Sequence, residues 1–74
     1  MIRLECTADG SHKFYELHMH EADGEVTVSG VYGAIGRAGK EIMIYEGESR
    51  EEAERAVEKK KQEKLKKGYV VVGA

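Results

Sequence analysis

Three glycines spaced by three, Gly33, Gly36 and Gly39, punctuate the segment from Val31 to Lys40 and constrain this chain more than any other feature. Strand-like apolar runs flank them, Val26-Thr27-Val28-Ser29-Gly30-Val31 before and Ile42-Met43-Ile44-Tyr45 after. Glycine tolerates positive φ and lets another backbone or a ligand approach closely, so the segment reads as a connection between two strands that exposes backbone amides. Arg37 and Lys40 place two positive charges on that connection.

The rest of the pattern supplies a sheet and one helix for this loop to join. Residues 2 to 6 read as a first strand, and the turn-rich Thr7-Ala8-Asp9-Gly10-Ser11 follows it. Lys13 to His20 reads as a second strand, with Tyr15, Leu17 and Met19 on one face and Phe14, Glu16, His18 and His20 on the other. The first of these faces is the expected core face. An Asp23-Gly24 turn signal leads into a third strand from Glu25 to Tyr32, and Glu41 to Glu46 forms a fourth after the glycine loop. Ser49-Arg50-Glu51-Glu52 matches a capping box, in which Ser49 accepts from an early amide and Glu52 reaches back to the amide of Ser49. A helix then runs to about Lys67, with Ala53, Val57 and Leu65 as a thin apolar stripe and Gly68 as its terminator. Tyr69 to Val72 ends the pattern as a strand or an extended tail. The expected class is α+β: a small antiparallel sheet of four or five strands with one long C-terminal helix on it, in a single domain over residues 1–74.

Composition narrows the function. A chain of 74 residues buries only about 60% of its unfolded surface, too little to build a large enclosed active site. Cys6 is the sole cysteine, which fits a reducing compartment, and no apolar run near Met1 suits a signal peptide or a membrane span, so the expected location is cytoplasmic. The net charge of −2 conceals an asymmetry. Residues 1–58 carry six basic and thirteen acidic side chains, net −7, whereas residues 59–74 carry six lysines and one glutamate, net +5. Attraction to a polyanion must therefore come from a local patch.

Three segments resemble the WGR domain, in the family's order. Tyr32-Gly33-Ala34-Ile35-Gly36 is similar to its Trp-Gly-Arg-Ile-Gly core, and His12-Lys13-Phe14-Tyr15-Glu16-Leu17 to its Asn-Lys-Phe-aromatic-Glu-hydrophobic strand. Glu63-Lys64-Leu65-Lys66-Lys67-Gly68-Tyr69 is similar to its closing Glu-Lys-aliphatic-Lys-Lys-Gly-Tyr. In the WGR domains of poly(ADP-ribose) polymerases the loop Trp packs on the sugar at a DNA end, and the loop Arg engages the end and neighbouring domains. Here Tyr32 stands at the Trp position and Ala34 at the Arg position. The resemblance thus implies a DNA-contacting module with a smaller stacking face and without the arginine fork.

On this reading the nucleic-acid-binding residues are Tyr32 for stacking, amides near Gly33 and Gly36 with Arg37 and Lys40 for phosphate, and Lys60, Lys64 and Lys67 as a flanking basic surface. On glycine spacing alone, an ordinary hairpin connection accounts for the loop more simply, and the lysine run equally serves a solvated helix end. His18 and His20 share a strand face with Glu16, but no Cys pair or helix-borne His motif accompanies them, so no metal site and no cofactor are expected. No motif fixes a nucleophile with its base, and the domain reads as non-catalytic. The competing expectation is a protein-interaction module that kept the fold and lost the nucleic-acid site.

Overall fold

The computed structural model describes residues 1–73. Five strands, β1 (Ile2–Cys6), β2 (Lys13–Ala22), β3 (Glu25–Ala34), β4 (Lys40–Gly47) and β5 (Val70–Gly73), form one antiparallel sheet in the order β4-β3-β2-β1-β5. The helix α1 (Arg50–Lys66) lies across one face and carries the chain from the β4 edge to the opposite edge, where β5 pairs with β1. The α+β class and the packed helix agree with the sequence expectation, and the terminal segment is a strand rather than a loose tail.

The central hairpin is longer than its sequence pattern suggests. Asp23 (φ 52°) and Gly24 (φ 78°) take the paired positive φ values of a two-residue hairpin turn, and β2 and β3 pair from Ala22↔Glu25 through Lys13↔Ala34. Half of the glycine segment is therefore strand.

Between sheet and helix lies a thin core. Leu4, Tyr15 and Leu17 form one buried group and Val26, Val28 and Ala53 another, with Ile2, Ile44, Val57, Leu65 and Tyr69 packed against them. Two assignments on β2 differ from expectation. Met19 is 38% exposed: β1 begins at Ile2, opposite Leu17, so no neighbouring strand flanks Met19 on that side. Phe14, expected on the solvent face, is 3% exposed. Its ring lies under the Arg3 guanidinium, 4.4 Å from the ring centroid, and against Gly39 of the loop.

Both ends of α1 are closed by local hydrogen bonds. Ser49 Oγ accepts from the Glu52 amide at 3.1 Å, as the cap predicts. The reciprocal half is different from expectation: Glu52 does not return to the Ser49 amide. The Tyr45 hydroxyl intervenes, accepting from the Ser49 amide at 3.3 Å and donating to Glu52 Oε2 at 3.1 Å. At the other end Gly68 (φ 97°) donates to the Leu65 carbonyl and Tyr69 to the Lys64 carbonyl, the paired bonds of a Schellman closure.

Candidate nucleic-acid interface

Strand alternation brings Tyr32 to the helix side of the sheet. It faces Tyr15 across β2 and Lys40 across β4, in direct register with both. The Tyr32 and Tyr15 rings stack with centroids 6.0 Å apart and planes 15° from parallel. Tyr15 is buried and Tyr32 is 39% exposed, so one ring anchors the stack and the other offers it to solvent. Gly30 makes this possible: a Cβ there would lie 2.6 Å from the Tyr15 hydroxyl. Among the described residues that hydroxyl has no hydrogen-bond partner, and burial raises its pKa above the ordinary tyrosine value.

Lys64 reaches from α1 onto the same aromatic surface. Its ammonium lies 4.6 Å from the Tyr15 ring centroid and 5.4 Å from that of Tyr69. Burial, and then the charges of Lys67 and Lys60, push its pKa below the ordinary lysine value, with Lys13 adding in the same direction. Several positive charges therefore converge on this corner of a chain whose net charge is −2. Lys60 is tied to Glu63 at 3.4 Å and lines an open groove of about 330 Å³ between α1 and β4, with Ile44, Ala56 and Lys59.

The residues expected to bind are only partly brought together. Tyr32, Lys40, Lys60, Lys64 and Lys67 belong to the helix side and its C-terminal end. Arg37 is exposed in the turn between β3 and β4, where its amide donates to the Ala34 carbonyl at 3.0 Å. The Ile35 amide is likewise engaged, with the His12 carbonyl at 3.0 Å. Fewer loop donors are thus free than the glycine spacing suggests. Gly36 (φ 92°) stands in open space. Gly33 lies within β3, where a Cβ would come 2.9 Å from Gly39 Cα, so its glycine identity has a packing reason.

Lys13, Tyr15 and Tyr69 were not read from the sequence as parts of this surface. Lys13 shares the Tyr15 face by alternation and pairs with Ala34. The period-two signal was present for Lys13, whereas only the pairing with β3 shows which residue it would stand beside. On the opposite face Glu16 joins Arg3 Nη1 at 2.7 Å and His18 Nε2 at 2.9 Å. Among the described residues no group of three or more His, Cys, Asp or Glu is placed to hold a metal ion, and no helix is long and apolar enough to cross a membrane.

These features define a small α+β domain whose most developed surface is an aromatic and lysine cluster beside a glycine-containing hairpin connection. The WGR domain family model matches residues 1–74, the whole chain. The chain belongs to the WGR domain family, a family of nucleic-acid-binding modules. Comparison with curated proteins and with solved structures gave no match.

Proposed function

We propose that this domain is a non-catalytic module that contacts duplex DNA near an end or break. The observation that carries the reading is the convergence of a half-exposed Tyr32, its cross-strand neighbour Lys40, and Lys64 with the charges of Lys60, Lys67 and Lys13, on one side of an otherwise acidic domain. Tyr32 stacks on a terminal sugar or base, while the lysines and Arg37 neutralise phosphates. Ala34 donates nothing, and Lys13, paired with it across the strands, supplies a cation beside that position. Because the charge is confined to a corner, binding is weak and steeply dependent on salt.

A salt titration with blunt, nicked and closed circular duplexes tests this. Engagement of two or three phosphates gives a log-log slope of about −2 to −3. A preference for open over closed duplex supports end contact, and absence of binding at ~20 mM salt, where exposed charges are barely screened, overturns the reading. A protein-partner role has its own supporting observation. The edge strand β5 carries Val70, Val71 and Val72 at 58%, 43% and 51% exposure, with no charge or proline to discourage pairing with another strand.

A further inference from the structure

We infer that Phe14, on the sheet face opposite the proposed interface, is a positioning residue that clamps the loop bearing Arg37 and Lys40. The inference rests on the nucleic-acid reading above. The strand face that carries Phe14 is otherwise polar or half-exposed, with Glu16 and His18 beyond it and Arg3 and Glu5 on the neighbouring strand. A phenyl ring 3% exposed in that setting must be covered by something other than the helix. Arg3 and the loop both lie against it. The Arg3 guanidinium lies 4.4 Å from the ring centroid, held there by Glu16 at 2.7 Å and Glu5 at 2.9 Å. The loop supplies the rest.

Gly39 (φ 81°) is folded so closely onto the ring that a Cβ would sit 2.8 Å from Phe14 Cζ and 2.6 Å from the Tyr32 carbonyl oxygen. Gly33 admits the Gly39 Cα on the same side. At Gly39 the chain therefore lies over the face away from the helix, pinned between Phe14 and the Tyr32 backbone. Lys40 follows immediately and enters β4 opposite Tyr32. Phe14 thus acts through Gly39 to fix where Lys40 emerges and how far Arg37 can swing. Its effect belongs to the loop charges and not to Lys60, Lys64 and Lys67, which α1 and its C-cap hold independently.

That separation makes the inference testable. Phe14→Leu keeps an apolar residue in the sheet but withdraws the ring end from Gly39. Gly39→Ala displaces the loop while leaving Phe14 in place, so it serves if the first variant folds poorly. DNA binding of the unaltered domain is measured first, across salt; if it is absent, the nucleic-acid reading and this inference fall together. If it is present, each variant, shown to be folded by circular dichroism, should bind ~5- to 10-fold more weakly and lose about one unit of salt slope, the share of one phosphate contact. Lys40→Glu should then add less than ~2-fold in the Phe14→Leu background, although it weakens the unaltered domain several-fold. Amide exchange at Arg37, whose N–H is bonded to Ala34, should accelerate while α1 remains protected. An unchanged slope with additive Lys40→Glu in both variants overturns the clamp and leaves the nucleic-acid reading standing.

Discussion

At the scale of single residues the domain turns on a few side chains asked to do two things. Lys64 is the clearest. Burial and neighbouring lysines disfavour its charge, yet the charge sits over Tyr15 and Tyr69 beside the exposed ring of Tyr32. Lys64→Met keeps the aliphatic stem on the rings and removes the disfavoured charge, so the melting temperature should hold or rise while DNA affinity falls. A calorimetric scan with a binding titration checks that split. Tyr32→Trp with Ala34→Arg enlarges the stacking face and adds a fork of donors on the same strand face. Stacking and a charge-assisted contact are each worth about 1–3 kcal/mol, so the double variant should bind DNA ends at least ~10-fold more tightly, with a smaller gain on closed circles. Equal gains on both would show that charge alone had been added. On the other sheet face, the bonds from His18 and then Arg3 hold the Glu16 carboxyl below its usual pKa. The unfolded chain, whose glutamate keeps its ordinary pKa, takes up the proton first, so this stabilisation is complete above that pKa and is lost as pH falls through the lower folded value. Glu16→Gln should flatten the acid limb of a stability-against-pH curve; an unchanged limb would assign acid sensitivity elsewhere.

At the scale of elements, α1 is legible from end to end, because its signals are local. Ser49 and Gly68 stand within a few residues of the backbone groups they satisfy, and the helix spans Arg50–Lys66 between them. The capping box is a partial exception. Its second half is completed by Tyr45, on β4, through a hydroxyl that meets both Ser49 and Glu52. No helix-terminus pattern contains a strand tyrosine, so sequence reasoning missed the contact. Ser49→Ala should cost about 1 kcal/mol, and Tyr45→Phe a similar amount. Both support the same first turn, so the double variant should lose less than the sum in a denaturant series; strict additivity would show that they act separately. Gly47 leaves room for this arrangement, since a Cβ there would lie 2.5 Å from the Tyr45 hydroxyl.

At the scale of the whole molecule, one helix covers one side of a five-stranded sheet, and most of the fold's asymmetry follows. The helix delivers Lys64 onto the Tyr15 ring that stacks on Tyr32, so several lysines of a chain of net charge −2 gather beside that ring. Lys67→Glu, at that end, should weaken binding to all duplexes alike and make the salt slope shallower by about one; a sequence-dependent effect would mean that the contact is not to phosphate.

What the sequence determined by itself was whatever depends on neighbours along the chain: the strands and their turns, the helix with its cap and terminator, the α+β class, the family resemblance, and the candidate residues on the glycine loop and the helix end. The positive φ values of Gly24 and Gly68 belong to this set, because turn and cap chemistry are local. Only the tertiary structure decided which candidates share a surface. It stacked Tyr32 on Tyr15, laid Lys64 over that ring, placed Lys13 beside Ala34 and buried Phe14 under Arg3 and Gly39. Each of these contacts joins residues far apart in sequence, and each depends on strand register and on where the helix crosses the sheet. Periodicity assigns a side chain to a face; the long-range packing of strands and helix decides what lies against it.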